Sequence, residues 1–319
     1  MNSSAVPPGW LFADAEKRRA AWRYWVRDGI VGGGHLVLHH ALRRLPIDGC
    51  SAVGAEAIRF ARHLYPQSDA RARRLWAAIN PRQASRADTD RAMRTLWRNV
   101  SRTMAEYSVL DRLWAAGRIT VVGQEHLDAA RGAGRPILLA GLHLGNWELI
   151  GVTLVAIGYH GSGFYEPQDN RFHDRIAKAV RLRYGAKVVF PKHSAARTAY
   201  RLLSAGSEVF LIYVDEMIRG RVSAPALGRP LRTEGNIAHV ARLARLTGAA
   251  VIPVYCLRVG DRARFKITFL PALDLPRSAD KDADLAAHVA AINAAIEPVV
   301  KRHVDQWYYA LDFEPEPPR

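Results

Sequence analysis

Two patterns of apolar and polar positions divide the chain. Through roughly residue 115, apolar residues recur at helical spacing, and the sequence predicts helices over 13–30, 52–64, 70–79 and 88–113. Asn80-Pro81 marks a break between the third and fourth of these. From Ile119 onward, short unbroken apolar runs alternate with helical stretches. Strands are predicted at 119–122, 136–140, 163–165, 187–190, 208–213 and 250–257. The helices between and after them fall near 146–157, 172–184, 195–203, 236–247 and 283–303. Strands alternating with helices predict an α/β fold, a mixed, mostly parallel sheet covered by helices, with a helical N-terminal extension. The boundaries follow as 1–115 for the helical region, 116–313 for the α/β domain and 314–319 for a Pro/Glu tail.

Charge narrows the partners. There are 46 Lys+Arg against 30 Asp+Glu, a formal net charge of +16, which attracts polyanions such as nucleic acid, anionic headgroups or phosphorylated substrates. The arginines are spread along the chain and no nucleic-acid-binding module is visible, so no nucleic-acid partner is expected; composition bias is an alternative source of many of them. Cys50 and Cys256 lie in no metal or redox spacing, and Cys256 reads as a buried core thiol. The apolar stretch 30–42 contains His35, His39, His40 and three consecutive glycines. It is too short and too polar to span a bilayer, so membrane contact is expected to be peripheral. The first helix mixes Trp10, Leu11, Trp22, Tyr24 and Trp25 with Lys17, Arg18, Arg19, Arg23 and Arg27, the composition of an interfacial helix on anionic lipid. An ordinary amphipathic helix packed on its own core is the other reading.

The chemistry concentrates where the predicted strand at 136–140 runs into Gly141-Leu142-His143-Leu144-Gly145-Asn146-Trp147-Glu148. In open α/β sheets, sites form at the carboxyl ends of strands. On one continuous helix His143 and Glu148 would point about 140° apart. With His143 in the loop and Glu148 in the first helical turn, the chain can fold back and join them. Glu148 would then fix the tautomer of His143, whose free nitrogen would act as general base on a hydroxyl. The bland alternative is a loop histidine followed by a good first-turn glutamate.

This segment resembles the H-x4-D/E motif of the bacterial lipid A biosynthesis acyltransferase family, the late lauroyl/myristoyl-type enzymes, related to phosphatidylinositol mannoside acyltransferases. The resemblance runs over about 80–313. It includes Tyr165-Glu166-Pro167-Gln168-Asp169-Asn170, Arg181-Leu182-Arg183, Val214-Asp215-Glu216, Leu227-Gly228-Arg229-Pro230, and Asp305-Gln306-Trp307-Tyr308-Tyr309. It implies a glycerolphosphate acyltransferase-like fold, His143 as general base and Glu148 as its partner. Arg181 and Asp215 become further site residues, Asp215 orienting Arg181 by an ion pair, and Asn146, Asn170 and Arg229 supporting or substrate-binding residues. Glu166 stands where the family usually has Arg, Glu216 where Gln or His is common, and the usual N-terminal spanning helix is missing or degraded.

The expected reaction is transfer of a fatty acyl chain from acyl-carrier protein or coenzyme A to a hydroxyl of an anionic glycolipid such as a lipid A precursor. The expected place is the cytoplasmic face of the inner membrane, peripherally. No metal or other cofactor is required. Other acceptors (a phosphatidylinositol mannoside or another lipid) and a silent lipid-binding protein are the rivals. His35, His39 and His40 lack the carboxylate or cysteine spacing of a metal site. Ser194 and Ser207 lack a nucleophile elbow, and no P-loop or dinucleotide fingerprint is present.

Overall fold

The computed structural model describes residues 6–83, 85–165, 170–185, 188–206 and 209–316. The N-terminal region is helical: α1 (Ala15–Trp22), α2 (Asp28–Arg43), α3 (Ile47–Ala61), α4 (Pro66–Ile79), α5 (Arg86–Glu106) and α6 (Leu110–Leu113). Then come β1 (Ile119–Val122), α7 (Gln124–Gly132), β2 (Ile137–Gly141), α8 (Leu149–Ala156), β3 (Gly161–Tyr165), α9 (Arg171–Arg183), β4 (Val188–Pro191), α10 (Lys192–Ser204) and β5 (Val209–Tyr213). A small hairpin, β6 (Met217–Ile218) and β7 (Arg221–Val222), precedes α11 (Gly235–Thr247), β8 (Ala250–Arg258), β9 (Phe265–Phe269) and α12 (Lys281–Arg302). The main sheet has seven strands in the order β1-β9-β8-β2-β5-β3-β4. Strands β8, β2, β5, β3 and β4 are parallel, and β9 turns antiparallel to β8. The mostly parallel α/β sheet read from the sequence is therefore what forms.

The central strand β2 is buried at every residue. Its pleat sends Leu138 and Ala140 to one face and Ile137 and Leu139 to the other, so it belongs to two cores at once. One core packs α5, α10, α11 and α12 through residues such as Leu96, Leu203, Ile237 and Ile292. The other gathers Leu113 of α6, Leu127 of α7, Ile150 of α8 and Phe265 of β9. Helix α12 is, among the described residues, the one helix long and apolar enough by composition to cross a membrane. Here Val289, Ile292, Ile296 and Val300 are built into the first core.

Helix α7 and the β6–β7 hairpin were not predicted, and three further elements depart from the sequence expectation. Strand β9 was not anticipated, although Phe265 and Ile267 are buried on either side of exposed Lys266. Helix α2 continues through Gly32, Gly33 and Gly34, where propensity alone disfavours helix. Packing overrides propensity there: a Cβ on Gly32 would collide with the side chains of Asn170, just before α9, and Phe172 in its first turn. Helix α8 begins at Leu149, not near Asn146, so 146–148 form its approach turn.

Candidate active site

The site is assembled by sheet register. β2 and β5 are parallel neighbours, with Gly141 opposite Tyr213. His143 lies two residues beyond Gly141 and Asp215 two beyond Tyr213, so both emerge side by side at the carboxyl ends of their strands. Asp215 Oδ1 accepts from His143 Nδ1 at 2.7 Å, and Oδ2 accepts from the His143 backbone N–H at 2.8 Å. The Asp215 side chain is fully buried, while that of His143 is 17% exposed. Holding the proton on Nδ1 leaves the lone pair on Nε2, which has no protein partner among the described residues. Aromatic rings surround the imidazole: Tyr213 at 4.3 Å, Tyr309 at 5.1 Å and Trp147 at 5.2 Å between centroids. Burial raises the Tyr213 and Tyr309 hydroxyls above the ordinary phenol range, so both stay protonated.

Glu148 is not the partner of His143. It occupies the N-cap position of α8 and its carboxylate takes Arg181 instead, with Arg181 Nη2 donating to Glu148 Oε1 at 3.1 Å. The short sequence spacing misled: the partner comes from the neighbouring strand, 72 residues away. The expected Asp215–Arg181 ion pair is likewise replaced by Glu148–Arg181. Beside this pair opens a cavity of about 550 Å³ between α2, α3, α5 and α9, within the range of small-molecule pockets. Trp147, Glu148 and Arg181 form one part of its wall, and Leu38, Leu42, Val53, Ala57 and Met104 supply apolar surface. His35 and His173 meet at its rim, Nδ1 to Nε2, 2.5 Å apart.

Comparison with known proteins identifies the family. The family model described as bacterial lipid A biosynthesis acyltransferase matches residues 18–311. The chain belongs to that family. Over 191 residues it is also 28% identical to the phosphatidylinositol mannoside acyltransferase of Mycobacterium tuberculosis strain H37Rv, covering 58% of this chain and 57% of that protein. The protein of the same name from strain CDC 1551 matches at the same identity and coverage. The matched stretch thus spans little more than half of these relatives.

In this family member, three further sequence candidates sit outside the dyad. Asn146 is buried, its Nδ2 donating to Glu106 at 3.1 Å, and it holds the loop from beneath. Asn170 caps α9 through Phe172 N–H and donates to the Asp28 carbonyl at 3.1 Å, fastening α2 to α9. Arg229 is buried, donating to the carbonyls of Val222, Pro225 and Ala226 and stacking on Phe313. It organises the loop after β7, and burial pushes its guanidinium down to about 10. Glu166 lies outside the described residues. Glu216 caps α11 by accepting from Asn236 N–H at 2.5 Å. Among the described residues no group of three or more His, Cys, Asp or Glu is arranged to hold a metal ion.

Of the residues that hold the loop in this acyltransferase-family fold, the sequence singled out Gln306, Trp307 and Tyr308 through the C-terminal motif and missed the rest. Glu106, fully buried on α5, pairs in bidentate fashion with Arg258 at 2.7 and 2.8 Å and accepts from Ser51 and Asn146. Arg102 ties Ser51 to the Asp261 carbonyl, and Thr103 donates to the Gly145 carbonyl. Gly145 has φ +55° and packs so close to the Cys256 carbonyl that no side chain fits. From the C-terminal side, Gln306 and Tyr308 pair with the loop backbone: Gly145 N–H donates to Gln306, and Tyr308 N–H to His143. Trp307 donates its indole N–H to Asp215 Oδ2 at 2.8 Å. The one available signal was composition: an acidic residue in the apolar face of a core helix needs a buried partner.

Proposed function

We propose that this protein is an O-acyltransferase that moves a fatty acyl chain from a thioester donor, acyl-carrier protein or coenzyme A, to a hydroxyl of an anionic glycolipid. The observation that carries the reading is the His143–Asp215 dyad at two strand ends, whose ring neighbour Trp147 also lines an apolar cavity. His143 Nε2 takes the proton of the acceptor hydroxyl as its oxygen attacks the thioester carbonyl. Asp215 steadies the imidazolium that forms. The tetrahedral oxyanion collapses, the C–S bond breaks, and the departing thiolate recovers the proton from His143. Arg181, oriented by Glu148, serves a phosphate of either substrate or the developing oxyanion. The cavity lined by Leu38, Leu42 and Met104 receives the acyl chain. Trp147 and Tyr308, 5.2 Å apart between rings, offer flat apolar surface beside the base for a sugar face. No metal or redox group is needed for these steps.

A lipid A precursor fits the family assignment, and a phosphatidylinositol mannoside is the second acceptor to test because the curated relatives carry that name. Membrane attachment is peripheral, at the cytoplasmic face of the inner membrane. Its support is on α2, where Ile30, Gly34, Val37, Leu38 and Ala41 recur at helical spacing and all face solvent. The test is transfer of a labelled acyl group from both donors to both acceptors by wild type and His143→Ala. Transfer by wild type with loss of about 10³-fold or more in the variant is expected. Undiminished transfer by His143→Ala sinks the mechanism; tight lipid binding without any transfer favours a silent lipid-binding protein.

A further inference from the structure

The Asp215 carboxylate is fully buried, and among the described residues no lysine or arginine pairs with it. Three N–H groups satisfy it: the imidazole and the backbone amide of His143, and the indole of Trp307. The first two belong to the residue Asp215 serves. Among the described residues, Trp307 is the one independent donor. Its ring is fully buried against Phe313, and its backbone forms a β-bridge to Leu144, directly after His143. The flanking Gln306 and Tyr308 are fixed to the same loop by the backbone pairs described above. The indole is thus held by covalent and hydrogen-bonded neighbours on both sides and aimed at Oδ2.

We propose that Trp307 is a positioning residue for the dyad, setting both the rotation and the effective charge of Asp215; the proposal rests on His143 being the general base. The torsion about the carboxylate carbon is intrinsically broad. With Oδ2 taken by the indole, Oδ1 faces His143 Nδ1, and the imidazole keeps the tautomer that leaves Nε2 as the acceptor of the substrate proton. The indole also draws off part of the carboxylate's charge. Without it, Asp215 stabilises the imidazolium more strongly, and the base is neutral only at higher pH.

The experiment is kinetic. Trp307→Phe removes the donor and keeps an aromatic ring. Site-specific replacement of Trp307 by benzothienylalanine keeps the bicyclic shape and removes only the N–H, which covers the case where the smaller ring fails to fold. Both are assayed beside wild type and His143→Ala across pH. The expected result is kcat lower by about tenfold, as for loss of a hydrogen bond to a charged group. KM values for donor and acceptor stay within about twofold, and the acid limb of kcat/KM moves upward by roughly half a pH unit or more. Any other pattern from the isosteric replacement overturns the proposal. That includes unchanged kcat, and a fall in kcat with the acid limb in place, which marks a packing role. If His143→Ala keeps full activity, the base assignment fails first; if it is inactive while the isostere matches wild type, only the role of Trp307 fails.

Discussion

At the scale of single residues, the geometry exchanges the partners of two carboxylates: Asp215 takes His143 and Glu148 takes Arg181. Asp215→Asn is expected to lower kcat by roughly 10²–10⁴-fold, because an amide cannot both hold the Nδ1–H tautomer and neutralise the imidazolium. Glu148→Gln, which loosens Arg181, is expected to raise KM more than it lowers kcat and to leave the pH profile in place. Steady-state kinetics on the two variants checks the distinction; equal effects on kcat would show that Glu148 serves His143 after all. The position of His143 was legible because a buried strand, a glycine loop and a helix announce a strand-end site. Its partner was not, because only the register of β2 against β5 brings Asp215 to it. His39 makes a second residue-scale case. Burial, and then the charge of Arg183, push its imidazole down to about 4. Above pH ~6.5 it is neutral folded or unfolded. Between that pH and about 4 the unfolded chain takes up a proton that the folded chain refuses, so stability falls as pH falls, by about 3 kcal/mol over the whole window. Urea midpoints of wild type should drop from pH 7 to pH 5 more than those of His39→Gln.

Among elements, the helical stretches and buried parallel strands were readable, since each carries its own period. Strand β9 was missed although Phe265, Ile267 and Phe269 alternate with polar residues, because the run is short and follows Arg262 and Arg264. Helix α2 was missed as a helix because its glycines are local breakers that only a tertiary neighbour justifies. That neighbour defines a test. Gly32→Leu places a side chain where Asn170, just before α9, and Phe172 in its first turn already stand. It should cost about 1–3 kcal/mol and part the two helices, seen as a lower thermal midpoint and faster amide exchange in α2 and α9. Gly33→Leu, at a position with open space around its Cβ, should do neither.

For the whole molecule, charge and exposed apolar surface meet at the N-terminal region. Arg18, Arg19, Arg23 and Arg27 are exposed on the approach to α2, whose outward stripe meets the cavity at Leu38. Binding to anionic liposomes should weaken as salt rises. Val37→Glu should weaken it further at any salt, and deletion of residues 1–27 should reduce it by removing the basic approach. Cosedimentation measures all three; binding unaffected by Val37→Glu would move the contact surface elsewhere. The sequence had placed the lipid-facing helix at 13–30 because aromatics and cations mix there. It is the three-dimensional packing of α2 that leaves a cleaner stripe outward.

The convergence of Glu106, His143, Asp215 and Trp307 on one loop also says something about how activity arises during folding. The groups come from far-separated parts of the chain, so the constellation has no local precursor. Pairings this remote form late and slowly. On dilution from denaturant, helical dichroism should return well before any acyl transfer. On the proposed function, acyl transfer would then mark the last step of assembly, and a partly folded chain would leave thioester donors untouched.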